Sequence, residues 1–419
     1  MSRTTTATPR RPLVGLAAAE IISTTGTEMT AIALPWFVLV STGSPTRMGA
    51  VLAAEFVGMT VLGLWGGRVA GALGSRQMML ACDLARAGLV ALIPILYWAG
   101  ALSFVLLLAV GFLVGAFFPA YTTSQRLVLA GIVGDDELRL TRVGGLLSSV
   151  NETASFLGPA LGGVLVVLIG PEKVLLVDAA SYLVAFLLVA TLVPRLPAVA
   201  SEEDGPGGVG PGLRYLFRAR GLRGQVIGLG ISQISWTAMV ATLPVLALRD
   251  GGASVAGWLL GSYGLGSIVG GLLSARAKRT GGHTAAWAMV VIAGSTWLLF
   301  APVPVWALSL AVALNGLGSG LFYPRFFSSL TTSTPPALRA RVMTSVTIAL
   351  AVPAPIGFLG AGYLSQHTGS TTASLLLVAT TATFGAVVTI QALRRSPEPT
   401  VEPTGAGTSV AGPRLESRP

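Results

Sequence analysis

The segment LVGLAAAEIISTTGTEMTAIALPWFVLV, Leu13–Val40, is apolar enough for a buried helix yet carries two carboxylates, Glu20 and Glu28. At about 1.5 Å per residue it is long enough to cross the hydrocarbon core of a bilayer, roughly 30 Å thick. On a wheel of about 100° per residue, Glu20, Ser23, Thr24, Thr27 and Glu28 share one face, while Ile, Ala, Leu and Val fill the other. Such a span turns one side to lipid or neighbouring helices and the other to water or a solute. An ionisable group inside a membrane costs at least about 2.5 kcal/mol on insertion scales, so it persists where it lines a cavity, finds a partner or carries function. Glu28 sits the deeper of the two and is expected to line a proton- or cation-binding cavity. Glu20 lies nearer the cytosolic mouth, where it either faces the same cavity or is merely hydrated.

The rest of the chain has the same character. Of 419 residues, 53% are hydrophobic and only 11% charged, with a mean hydropathy of +0.75, well outside the range of a soluble domain. A formal charge of +10 suggests nucleic acid only if the charge forms a patch on a soluble surface. Instead, apart from Arg47, Lys173 and Arg249, nearly all Lys and Arg lie in alternate loops and the two tails. That is the positive-inside pattern, and it predicts an even number of spans with both termini in the cytoplasm. The basic MSRTTTATPRRP start precedes an apolar run too long and too acidic for a signal peptide, so it reads as the approach to an uncleaved first span. A single cysteine, Cys82, leaves no intrachain disulfide and no thiol cluster for a metal.

Apolar runs between turn signals predict about twelve transmembrane helices. Those of the first half are Leu13–Val40, Gly49–Gly67, Met78–Ala99, Ser103–Arg126, Val143–Ile169 and Val174–Val193. Those of the second are Gly224–Leu248, Ser254–Ala275, Thr284–Ala301, Trp306–Leu330, Val342–Ser365 and Thr372–Leu393. The domain plan is therefore a cytoplasmic tail over 1–12, a six-helix bundle over 13–193, a linker over 194–223, a second six-helix bundle over 224–393 and a disordered tail over 394–419. Composition in the linker shifts to Pro, Gly, Ser and acids, which cannot span a membrane. Its GxGxxG match at Gly205, Gly207 and Gly210 has no preceding strand and reads as chance. The stretch LRYLFRARGLR that closes the linker alternates apolar residues with Arg at helical spacing, as an interfacial helix does.

An internal repeat strengthens the plan. ALPWFVLVSTGSPTRMG from Ala33 parallels TLPVLALRDGGASVAG from Thr242, and GAFFP ending at Pro119 parallels GLFYP ending at Pro324. Residues Arg142 to Gly170 align without gaps on Arg341 to Gly369, pairing Gly158 with Gly357, Gly163 with Gly362 and Gly170 with Gly369. Two related bundles imply a solute site between them, reached from alternate sides as one rocks against the other.

At these residues the chain resembles the major facilitator superfamily, and within it the drug:proton antiporter branch that includes macrolide-efflux and siderophore-export proteins. The resemblance covers residues 13 to 393 and rests on ALPWFVL with TGSP, CDLARAG, FFPAYTTSQR, LLSSVNETASFLGPALGG and LLVDAASYLVAF. GPALGG is similar to the superfamily's motif of span five associated with export by antiport, which implies gating roles for Gly158, Pro159, Gly162 and Gly163. The superfamily's gating motif between spans two and three survives only as Gly67, Gly74 and Arg76. Gly71 and Ala72 stand where Asp and Arg are expected, and Ser75 replaces another Arg. Asp83 and Arg86, three apart, are expected to pair within their helix or to reach the inner loop, either as part of a gate or as a simple interfacial pair.

Energy coupling narrows by elimination. The only lysines are Lys173 and Lys278, and neither belongs to a phosphate-binding loop; His283 and His367 fall in predicted loops, and nothing has metal-ligand spacing. No cofactor, metal or enzymatic constellation is expected. Every embedded acid lies in the first half: Glu20, Glu28, Glu55, Glu152 and Asp178. Glu28 and Glu55 come to comparable depth and form the favoured coupling pair, taking a proton from one side and releasing it to the other. Glu20, Thr24, Thr27, Asn151 and Glu152 are expected around the same chamber; Glu55 packing neutral between helices and Glu152 in a packing or gating hydrogen bond are the alternatives, whereas Asp178 reads as structural and close to the outer surface. Arg325 is expected to snorkel to the membrane surface. Trp36, Phe56, Tyr121, Trp236, Trp258 and Tyr323 offer aromatic surfaces to a solute or simply fill the core.

The reading is a monomeric, multi-pass transporter of the bacterial inner membrane that exports an amphipathic, drug-like or natural-product molecule against protons. Rival readings are a siderophore or metabolite exporter, an uncoupled facilitator, and a receptor or assembly subunit that moves no solute.

Overall fold

A computed structural model of the chain describes residues 10–134, 137–195, 210–276, 281–300, 303–335 and 338–395, and these are helical with short connections. The first half comprises α1 (Arg10–Thr42), α2 (Pro45–Leu73), α3 (Ser75–Trp98), α4 (Phe104–Val133), α5 (Glu137–Ile169) and α6 (Pro171–Leu192). A short helix, α7 (Gly210–Arg218), leads into the second half: α8 (Arg220–Asp250), α9 (Ala253–Arg276), α10 (Gly281–Trp297), α11 (Val305–Ser333), α12 (Arg339–Ala351), α13 (Ala354–Thr368) and α14 (Thr372–Arg395). Among the described residues, nine segments are long and apolar enough to cross a membrane. The chain is an all-α, multi-pass membrane protein of twelve transmembrane helices in two six-helix bundles, with α12 and α13 together forming the eleventh span.

Several helices run past the predicted membrane spans. α4 continues to Val133 and α5 begins at Glu137, so the charged loop GDDELRLTR is largely drawn into helix. The eleventh span, expected to be continuous from Val342 to Ser365, is divided into α12 and α13 by a two-residue turn at Val352 and Pro353, both of which keep right-handed helical dihedrals. Proline lacks the donor that would close the preceding turn, and its ring crowds the carbonyl four residues back. The repeat partner α5 has Pro159 further along and stays continuous.

Glycine sets the distances between helices. In the first half Gly58 lies against the Phe112 carbonyl, and Gly111 and Gly115 lie against Val51 and Glu55, so α2 and α4 touch backbone to backbone. In the second half Gly266 and Gly270 meet Ala313 and Leu317, while Gly316 and Gly320 meet Tyr263 and Ser267, repeating the contact between α9 and α11. Gly111 and Gly115 occupy the repeat positions of Gly316 and Gly320. The tight turns after α5 and α13 are made by Gly170 and Gly369, also repeat partners, with φ of +90° and +60°, where a side chain would be strained.

The apolar core forks. Near the loops opposite the chain termini it is continuous across both halves, running from Ile32, Phe37, Met48 and Val51 to Met239, Leu243, Leu259 and Phe358. Towards the termini it divides into two separate clusters. Leu16, Met79, Cys82, Val128 and Val189 belong to the first half alone, and Leu229, Met289, Phe322, Val342 and Val346 to the second alone. The halves are thus joined at one end and parted at the other.

Candidate transport site

The charged groups gather inside the first half. Arg86 of α3 is buried at 3% exposure, and its Nη2 donates to the Tyr182 hydroxyl of α6 at 2.6 Å and, at 3.5 Å, to Thr27 Oγ1 of α1. Its guanidinium also lies over two rings, 4.3 Å from the centroid of Tyr182 and 5.8 Å from that of Tyr121. Tyr182 and Thr27 hydroxyls share a 2.8 Å hydrogen bond. Asp178, one turn before Tyr182, accepts from Thr30 at 2.7 Å and from Ser181 at 3.2 Å. It is 1% exposed, which places it inside the cluster rather than near the surface as the sequence suggested.

Unpartnered polar atoms mark the same place. Asp83 is fully buried, and neither carboxylate oxygen has a hydrogen-bond partner; Glu20 Oε2, Arg86 Nε, Tyr121 OH and Ser124 Oγ are orphaned likewise. Asp83 and Arg86 therefore make no direct hydrogen bond with each other. They sit within the bundle rather than at the inner loop, because Arg86 turns towards Tyr182 and Thr27. Glu20 is buried at 5% rather than hydrated at a mouth, the other of its two readings, and it shares the electrostatic surroundings of Asp83 and Tyr121. Buried polar atoms without partners are costly and uncommon, and here they concentrate on α1, α3 and α4.

Glu55 and Glu28 take different surroundings. Glu55 of α2 is half-buried and lies in the fields of Arg86 and Asp178. Glu28 is half-buried with its Cβ against Gly158 of α5, and Met29 beside it rests on Gly162. The side chains of Asn151 and Glu152 lie outside the described residues. Thr24 is half-buried on the same helix as Thr27.

The GPALGG segment is a junction of three helices. Gly158 and Gly162 face α1, while Pro159 and Gly163 face α9: a Cβ on Gly163 would come within 2.8 Å of the Ala253 carbonyl oxygen and 3.0 Å of Gly257 Cα. Arg76, the remnant of the gating motif, caps α6, its Nε donating to the Val193 carbonyl and its Nη2 to that of Ala190, both at 2.7 Å.

The second half holds a cavity of about 270 Å³ bounded by α8, α9, α10, α11 and α12. Its polar wall is uncharged: Ser232, Gln233, Ser235, Asn315 and Ser319. Its aromatic wall comprises Trp236 and Tyr263, with ring centroids 4.0 Å apart, and Tyr323. Asn315 is oriented by donating to the Ile292 carbonyl and to Ser295 Oγ, both at 3.1 Å. Of the six aromatic residues singled out in the sequence, Trp236 and Tyr323 line this cavity, Trp258 is 56% exposed on the outside and Trp36 is core. Arg325 is half-buried, with its Nη1 buried and without a hydrogen-bond partner.

The joined end of the halves is a seam of short contacts. Gln366 of α13 accepts from Ser44 Oγ at 2.6 Å and from the Thr46 backbone N–H at 3.1 Å, so it holds the first turn of α2. Thr46 Oγ1 donates back to the Gly362 carbonyl at 3.3 Å, and Phe56 meets Phe358 with centroids 5.2 Å apart. Gly49 leaves room for the Phe358 carbonyl, and Gly257 for that of Pro159.

A family model described as transmembrane secretion effector matches residues 11–410, and the chain belongs to that family of the major facilitator superfamily. It is a small-molecule transporter and not an enzyme. Among relatives, the multidrug efflux pump Tap of Mycobacterium tuberculosis is 25% identical over 376 residues, covering 86% of this chain and 88% of the relative. Tap of Mycolicibacterium fortuitum is 26% identical over 378 residues, covering 87% and 91%. Among solved structures, the nucleoside transporter NupG superposes with a TM-score of 0.73 at 12% identity, covering 91% of this chain and 99% of its own. A bacterial homologue of the iron transporter ferroportin in the inward-facing state has a TM-score of 0.73 at 13% identity, covering 93% and 100%. At such identities these structures speak to the fold alone.

Proposed function

We propose that this chain exports an amphipathic, drug-like or natural-product molecule in exchange for protons by alternating access. The observation that carries the reading is a division of chemistry between the halves. Buried and partly unpartnered carboxyl groups gather round Arg86 in the first half, and an uncharged polar and aromatic cavity occupies the second. A neutral, aromatic-walled cavity suits an amphipathic solute, which stacks on Trp236 and Tyr263 and meets amides and hydroxyls opposite. Proton exchange falls to the first half. Glu55, in the fields of Arg86 and Asp178, and Glu28, against α5, remain the favoured coupling pair, with Asp83, Arg86 and Tyr182 as the network through which a change of protonation is felt. The relatives named as multidrug efflux pumps support export of drug-like molecules over siderophore transport.

In this reading both termini lie in the cytoplasm of a bacterial inner membrane, the Gln366 seam is the closed outer gate, and the fork opens inward. GPALGG provides the sliding contact on which the halves exchange gates, and Arg76 holds the inner end of α6. The test is accumulation of a dye and drug panel in cells producing the wild type, Glu55→Gln or Glu28→Gln, with and without a protonophore. Wild-type efflux that collapses with protonophore, and is missing from a folded Glu55→Gln protein, is the expected result. Efflux indifferent to protonophore sinks the exchange mechanism in favour of a facilitator, and no efflux of any compound sinks the drug reading.

A further inference from the structure

Helix α7 takes no part in either the charge cluster or the cavity. One face of it is fixed on α12: a Cβ at Gly212 would strike the Arg341 carbonyl, and Leu216 joins Val342 and Val346 in the core. The Tyr215 hydroxyl donates to the Ser333 carbonyl at 3.1 Å, which ties α7 to the end of α11 as well. The other face is left open, with Leu213 40% and Phe217 58% exposed one turn apart. Arg214 and Arg218, also one turn apart and exposed, line a groove of about 440 Å³ with Tyr215 and Leu338. Helix α7 contains no acidic residue, and among the described residues neither arginine has an ion-pair partner. The height of the groove follows from the chain: α7 ends at Arg218, and α8, a helix long and apolar enough to cross a membrane, begins at Arg220. The groove thus sits where acyl chains give way to headgroups.

We propose that this groove binds the phosphate of an anionic phospholipid. Two guanidinium groups one turn apart offer paired N–H donors to phosphate oxygens, and this geometry suits phosphate better than a point charge would. Leu213 and Phe217 beside them choose between a lipid and a free anion, because they enter the acyl layer only when the phosphate belongs to a lipid. Because α7 rests on α12, lipid bound here bears directly on the eleventh span.

The test uses the full chain in neutral detergent, titrated with phosphatidylglycerol, with phosphatidylcholine and with inorganic phosphate, and bound lipid is counted by native mass spectrometry. The wild type is expected to retain phosphatidylglycerol in preference to phosphatidylcholine. Arg214→Gln with Arg218→Gln weakens it by about fivefold per arginine, and Arg195→Gln, equal in charge removed per site but just after α6 and not part of the groove's lining, leaves it unchanged. Both groove arginines are exposed, so the fold survives their loss, and a thermal-unfolding curve in phosphatidylcholine nanodiscs verifies this. Undiminished retention in the double variant, an equal loss in Arg195→Gln, or displacement of the lipid by inorganic phosphate at matching concentration each overturns the proposal.

Discussion

Arg86 is the residue on which the first half depends. It reaches Tyr182 and Thr27 by hydrogen bond and supplies the positive charge among Asp83, Asp178 and Glu55. Tyr182→Phe removes the hydroxyl that accepts from Arg86 and is expected to lower stability by about 1–3 kcal/mol with the fold retained, read as a drop in the thermal unfolding midpoint. Arg86→Met leaves buried carboxyls without a cation, costs about 3–5 kcal/mol, and should reduce the yield of folded protein in fluorescence-detected chromatography. At the seam, Gln366→Ala deletes two hydrogen bonds worth about 1 kcal/mol each. That shifts the gate towards opening, and a Phe56→Cys reporter should label faster with an impermeant maleimide. Acids in an apolar run were legible in the sequence because each is anomalous by itself. Tyr182 was not: a tyrosine in a span has many ordinary roles, and only its spacing of four from Asp178 hinted at a shared face. Gln366 was hidden for a further reason, since its partners are some three hundred residues away and polar residues in loops attract no notice.

At the scale of helices, glycine decides which surfaces may slide. The α5 and α9 backbones meet through Gly163 and Gly257, so Gly257→Leu is expected to cost about 1–3 kcal/mol by overpacking. Transport should fall well below wild type even where the protein is still produced, as checked by efflux normalised to surface protein. The spans themselves were readable from apolar runs, and the repeat from paired glycines and prolines. Their ends were not, because helices continue through the headgroup layer once tertiary contacts support them, as α4 and α5 do. The turn at Pro353 was missed because proline alone does not report whether neighbouring helices will hold a helix together: Pro35, Pro119, Pro159, Pro244 and Pro324 all lie inside unbroken helices.

For the whole molecule, two halves of one plan have kept the same helix contacts and parted in their chemistry. The pairs α2 with α4 and α9 with α11 are equivalent, yet the turn of α4 bearing Val110 corresponds to the turn of α11 bearing Asn315. If the second half selects the solute and the first handles protons, the two functions separate by mutation. Trp236→Ala and Gln233→Ala are expected to change which compounds leave, by about tenfold between panel members, with dependence on the pH gradient preserved. Glu55→Gln is expected to remove that dependence for every compound alike. A fluorescent-substrate efflux assay in vesicles at several imposed gradients checks both.

The two-residue turn at Val352 and Pro353 divides one membrane crossing into an upper and a lower lever arm of helix, α13 and α12. The upper lever carries Gln366 and clasps α2; the lower carries the seat of α7. A rigid rod between them would force the gate and the surface helix to move as one. If the seam is the gate and α7 the anchor, a turn between them lets the gate let go while the lower part of the span stays seated, so the two ends of one crossing answer to different neighbours.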